Sequence, residues 1–132
     1  MVIADKLGAN LFVSADAGDT WEGPFASGLE RAELSLVGDE FWLVSSNGAK
    51  ATADGKTWRE LPKGVPTGKI LASPKGSLIN INRRRCSILR SGDAGKSWLE
   101  VFSYKEPKSE YIHGAQGLRD VAYGYITAEP VR

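Results

Sequence analysis

The chain has 132 residues, 42% of them hydrophobic and 25% charged, which is the size and composition of one soluble globular domain. Its formal net charge of +1 lacks the basic excess of a nucleic-acid-binding protein and gives no general attraction to anionic membranes, so we expect neither as a partner. The single cysteine, Cys86, excludes an intrachain disulfide, and the first residues do not resemble a signal peptide. We therefore expect a cytoplasmic or otherwise intracellular protein.

In chain order, the sequence consists of short strand-like runs separated by turns that are rich in Gly, Asp and Asn. These runs are residues 1–7, 31–39, 40–47, 48–54, 57–62, 68–76, 77–85, 86–93, 97–104 and 117–124. No stretch of ~11 residues has the apolar spacing of a helix, and no apolar run approaches the ~18 residues of a membrane span. The sequence therefore predicts an all-β fold.

One sequence word occurs three times, as SADAGDTW at 14–21, TADGKTW at 52–58 and SGDAGKSW at 91–98. The tryptophans that end the three copies lie 37 and 40 residues apart. A period of about forty residues built from short strands is typical of the four-stranded blade of a β-propeller.

Each residue type of the word suits a tight turn. The Asp accepts backbone hydrogen bonds, the Gly permits a positive φ, the Ser or Thr bonds locally, and the Trp buries a large apolar face between units. The defined positions are Ser14, Asp16, Gly18, Thr20 and Trp21, then Thr52, Asp54, Gly55, Thr57 and Trp58, then Ser91, Asp93, Gly95, Ser97 and Trp98.

The word resembles the Asp box, or bacterial neuraminidase repeat, of sialidase-like propellers, sortilin-type receptors and photosystem II assembly factors. The resemblance covers about residues 1–104, and the second copy departs from the pattern by Thr52 in place of Ser and by one residue fewer before Gly55. It implies that each word forms the hairpin between the third and fourth strands of a blade, away from the ligand face. The three aspartates are therefore expected to be structural rather than catalytic.

Counting the words gives about three blades in a single domain, 1–132. Blade one is predicted over 1–26 and is completed by a strand at 117–124, blade two covers 31–62, and blade three covers 68–104. Propellers close with about four to eight blades, so we predict that two chains form a six-bladed homodimer. A piece of a longer repeat array is the alternative, and either 1–5 or 125–129 can supply the second strand of the split blade.

The densest cluster of charge is formed by four arginines, Arg83, Arg84, Arg85 and Arg90. Arginine suits bidentate binding of carboxylates or phosphates, so the cluster is a candidate site for an anion or a partner. The alternative is a solvated hairpin.

Three further residues are candidate contacts on loops. Tyr111 and His113 lie in the long connection 103–117. Trp42, the only tryptophan outside a word, is expected to pack between sheets, and contact at a loop edge is the alternative. Long loops on a rigid ring are favoured places for binding, and an exposed aromatic ring can stack on a sugar. With one histidine and one cysteine, the chain has no metal-ligand spacing, and we predict no metal and no cofactor.

These features favour a non-enzymatic binding or scaffold module that recognises a protein or a glycan through the propeller face. The resemblance to sialidases would imply an arginine triad and a tyrosine nucleophile paired with a glutamate, and neither is legible in the sequence. A glycoside-processing enzyme assembled across a dimer is one alternative function, and an assembly factor or a phage-type structural component is another.

Overall fold

The computed structural model describes residues 1–5, 8–82 and 86–104, apart from the side chain of Ile3. All the regular secondary structure of these residues is β, and none of them belongs to a helix that could cross a membrane. The strands are β1 (Val2–Ala4), β2 (Asn10–Val13), β3 (Glu22–Ala26), β4 (Glu33–Val37), β5 (Glu40–Ser45), β6 (Gly48–Thr52), β7 (Arg59–Glu60), β8 (Lys69–Ala72), β9 (Leu78–Asn82), β10 (Ser87–Ser91) and β11 (Leu99–Ser103).

The strands form three antiparallel sheets, and each strand pairs with its neighbour in the chain. We name them blade one (β1-β2-β3), blade two (β4-β5-β6-β7) and blade three (β8-β9-β10-β11). Blades two and three have four strands, which confirms the predicted all-β fold of four-stranded antiparallel sheets. The predicted strand at 117–124 and the segment 125–129 lie outside the described residues.

The position of a strand within its blade decides how much of it is buried. The second strand of blade two, β5, is buried from Trp42 to Ser45 because neighbouring sheets cover both of its faces. The last strands of the three blades, β3, β7 and β11, are exposed along their whole length.

Two hydrophobic clusters lie between the blades and join them. The first brings Val2, Leu11 and Val13 of blade one against Leu43 of blade two, with Trp58 packed against it. The second joins blades two and three, and its buried members are Trp42, Val44, Ala51, Leu61, Ile70 and Leu78, with Trp98 packed against them. The core of the chain therefore consists of layers between sheets, as stacked blades require.

Candidate functional site

The three repeated words fold into turns that we call aspartate turns, at 14–21, 52–58 and 91–98. In the first, Asp16 accepts hydrogen bonds from the Thr20 N–H (2.8 Å) and the Ser14 hydroxyl (2.8 Å). The Ser14 Oγ in turn accepts from the Gly18 N–H at 2.8 Å, and the Trp21 indole donates to the Gly18 carbonyl at 3.0 Å. The side chains thus supply the hydrogen bonds that a tight turn cannot take from a neighbouring strand.

The other two aspartate turns use the same chemistry. Asp93 accepts from the Ser97 N–H (2.9 Å) and the Ser91 hydroxyl (2.8 Å), as Asp16 does in the first turn. Asp54, in the shorter turn, accepts from the N–H groups of Lys56 (2.8 Å) and Thr57 (2.7 Å). Each turn connects the last two strands of its blade.

These hydrogen bonds hold the three aspartates in their ionised form. The Thr20 hydroxyl and N–H lower the pKa of Asp16 to about 2, and the Ser97 hydroxyl and N–H lower the pKa of Asp93 to about 2. The N–H groups of Thr57 and Lys56 lower the pKa of Asp54 to about 2. A carboxylate with so low a pKa is a poor proton donor near neutral pH, so these side chains are suited to anchoring turns rather than to acid catalysis.

A cavity of about 480 Å³ opens between blades two and three, and we call it the interblade groove. Its walls are mostly apolar, and its lining includes charged side chains from both blades. The apolar wall residues are Val37, Trp42, Pro62, Ala72, Pro74 and Leu78, and the charged ones are Glu40, Arg59 and Lys96.

The charges in the groove are only partly paired. The Arg59 Nε donates to a Glu40 carboxylate oxygen at 2.8 Å, and this contact lowers the pKa of Glu40 and raises the pKa of Arg59. Lys96 is exposed and forms no ion pair within the described part of the chain. The groove therefore carries a net positive charge that is open to solvent.

Trp42 adds a hydrogen-bond donor to the groove. Its side chain is 3% exposed, and its Nε1 lacks a hydrogen bond of normal geometry to any described residue. A weak hydrogen bond from the Trp42 indole to the Glu40 carboxylate adds to the effect of Arg59 in lowering the pKa of Glu40.

A second cavity, of about 400 Å³, lies beside the first residues of β6. It is formed by the β5–β6 turn and the chain that follows β7, and its polar side chains are those of Ser45, Ser46, Asn47, Glu60 and Lys63. It is more polar than the interblade groove and offers no large apolar wall. Among the described Asp, Glu, His and Cys residues, no group of three or more could hold a metal ion.

The structure separates the residues that the sequence analysis selected. Trp42 lies on β5 and in the core, not on a loop, so its ring faces are occupied by packing and are not open to a sugar. Arg90 is exposed on β10. The other candidates, Arg83, Arg84, Arg85, Tyr111 and His113, lie outside the described residues.

Sequence reasoning missed the interblade groove and its charged side chains, Glu40, Arg59 and Lys96. One signal was available, because the residue after the word's tryptophan is Glu22 in blade one and Arg59 in blade two. This reversal of charge changes the pairing between blades, because Glu22 pairs with Lys56 of blade two, whereas Arg59 pairs with Glu40 of its own blade.

Comparison with known proteins finds a structural likeness. Neither a scan against protein-family models nor a search of curated proteins finds a match. The solved structure of YCF48 bound to D1 peptide matches with a TM-score of 0.53 and 29% identity, over 72% of this chain and 34% of that chain. This chain thus spans about a third of the length of its structural relative, which is a β-propeller protein.

Proposed function

We propose that this chain is a non-enzymatic binding module that recognises a peptide segment of a partner protein. The observation that carries the proposal is the structural likeness to YCF48, which was solved with a D1 peptide bound. Binding of a segment by a rigid β-scaffold needs no catalytic group, and the three repeated aspartates of this chain are committed to their turns.

The interblade groove is the site that we assign to the peptide. Its apolar walls can bury a hydrophobic side chain, while the Lys96 ammonium can pair with a carboxylate oxygen. A peptide with an apolar residue next to an acidic residue or a free carboxyl end has this chemistry.

A phage-displayed library of random dodecapeptides tests the proposal. We expect selected peptides to be apolar and acidic, and Lys96→Glu to weaken their binding about tenfold, as the loss and reversal of a charge contact would. Lys63→Glu is the matched control, because Lys63 lines the other cavity. Equal binding by both variants would contradict the groove assignment, and the absence of any selected peptide would contradict the function.

A glycan array and a panel of fluorogenic glycosides test the competing functions. Binding to glycans without turnover would favour a carbohydrate-binding module, and turnover would favour a glycoside-processing enzyme. Turnover by the aspartate turns is not expected, because their carboxylates are held ionised by hydrogen bonds within the turns.

A further inference from the structure

The three aspartate turns share one geometry but differ in what covers them. A Cβ at Gly55 would lie 2.5 Å from a Val13 methyl of blade one, and a Cβ at Gly95 would lie 3.1 Å from the Trp42 ring of blade two. A Cβ at Gly18 would meet only Trp21 and Met1, at 3.8 Å and 3.9 Å. The second and third turns are thus pressed against the preceding blade, while no described blade covers the first.

The tryptophans of the turns give the same result. Trp58 and Trp98 are half-buried against the two clusters between blades, whereas Trp21 is 39% exposed. The face of blade one that carries Gly18 and Trp21, which we call the open face, therefore has the form of a blade interface that no described residue completes.

The outer face of blade three, which points away from blade two, lies at the other end of the described chain. The residue just before each word points toward the following blade, and it is Val13 in blade one and Ala51 in blade two, both buried. In blade three it is Arg90, which is exposed. Ser91 pairs with Leu78, which faces blade two, so Arg90 points to the opposite side.

The open face carries a charge that complements Arg90. Blades two and three each have a lysine two residues before the tryptophan that ends the word, Lys56 and Lys96. Blade one has Asp19 at this position, before Thr20. The charges at both ends therefore differ from those inside the chain, and they have opposite signs.

The first cleft shows how close these two positions come when blades stack. Val13 of blade one and Lys56 of blade two line the same small cavity there. Stacking the outer face of blade three on an open face would therefore place Arg90 beside Asp19. Neither side chain forms an ion pair with another described residue.

We propose that the open face of blade one binds the outer face of blade three of a second copy of this chain, with Asp19 paired to Arg90. In a two-fold dimer the contact occurs twice and closes a ring of six blades, within the range of about four to eight that propellers use. This proposal goes beyond the proposed function, because it does not depend on what the interblade groove binds.

Sedimentation velocity of the full chain tests the proposal. We expect wild-type chains at high micromolar concentration to form a dimer of twice 14.3 kDa. Asp19→Arg and Arg90→Asp should each weaken the dimer about tenfold or more, and the double variant, which exchanges the charges, should restore it. Lys63→Asp is the control for a change of charge away from both faces, and circular dichroism checks the fold of every variant.

Cysteine cross-linking supplies a second measurement that does not depend on affinity. A mixture of Asp19→Cys chains and Arg90→Cys chains should form a disulfide-linked pair under mild oxidation, and each variant alone should form much less. A wild-type monomer would overturn the proposal. Such a monomer would result if residues 105–132 of the same chain covered either face. Open-ended polymers, or a dimer that tolerates both single variants, would also overturn it.

Discussion

The two clefts between the blades have the same kind of turn and a lysine at the same position of the word, but only the first cleft is bridged by an ion pair. In the first, Lys56 of blade two reaches across to Glu22 of blade one at 2.8 Å, and the cavity is about 260 Å³. In the second, the position of Glu22 is taken by Arg59, which pairs with Glu40 of its own blade. Lys96 is left without a partner among the described residues, and the cavity is about 480 Å³.

The two clefts differ at a single position that determines whether an ion pair joins the two blades or leaves the cleft open. The residue after the word's tryptophan can be an acid that bridges two blades, or a base that turns back into its own blade. Repetition of the turn keeps the packing of the blades similar, so this position can vary without loss of the fold. A binding groove can thus arise at one interface of a repeated structure.

The largest effect is expected from breaking the tight packing of the first cleft. Gly55→Ala places a methyl group 2.5 Å from Val13 at a φ of +80°, so it adds overpacking to backbone strain. We expect a loss of about 2–4 kcal/mol in the free energy of unfolding, measured by urea denaturation. Gly38→Ala is the control, because its φ is +61° but its Cβ would meet nothing within 4 Å. Equal losses would show that strain alone is responsible.

Acid should destabilise the covered and the open turns alike. The pKa values of Asp16 and Asp93 are both about 2 in the folded chain, against an ordinary value of 3.8. Their contribution is therefore fully present above pH ~4 and is lost as the pH falls toward ~2. Asp16→Asn and Asp93→Asn should each flatten the fall in unfolding free energy over this range, by similar amounts. A much larger change for one variant would contradict the equivalence of the turns.

Moving the ion pair of the first cleft into the second should close the interblade groove. The double variant Arg59→Glu/Glu40→Gln gives Lys96 an acidic partner and removes the carboxylate that would be left unpaired. We expect unfolding free energy to change by no more than about 1 kcal/mol, because these pairs are near the surface, while binding of selected peptides weakens. Unchanged peptide binding, measured by fluorescence polarisation, would contradict the role of the open groove.

The smallest effect is expected from removing the ion pair itself. Lys56 and Glu22 have side chains that are 55% and 64% exposed, so Glu22→Gln should cost about 0–1 kcal/mol in unfolding free energy. Raising the salt concentration should reduce the difference from the wild type. A larger loss would mean that the pair, rather than the apolar cluster beside it, holds blades one and two together.

The fold was predictable because the interactions that form its turns are local in the chain and occur three times. Asp16, Asp54 and Asp93 each sit in a word whose hydrogen bonds close within a few residues, so the sequence alone indicates the turn and its period. The groove was not predictable in this way. It depends on Arg59 turning toward Glu40, nineteen residues away in the chain, instead of toward Lys96 in the next blade.

Trp42 shows a second limit of sequence reasoning. It lies in a run, β5, that is apolar on both faces, so packing between sheets is expected for it, but alternation gives no sign of which neighbouring blade it faces. How its indole meets the Glu40 carboxylate is a property of three-dimensional packing, and no spacing in the sequence encodes it.

The exposure of Trp21 has a practical consequence for spectroscopy. Of the four tryptophans, Trp21 is the most exposed, at 39%, while Trp42 is buried and the other two are half-buried. Its fluorescence should therefore be the most readily quenched by acrylamide and should emit at the longest wavelength. The emission wavelength of Trp21 therefore reports, without any added label, whether this edge of the first sheet is exposed to water or covered.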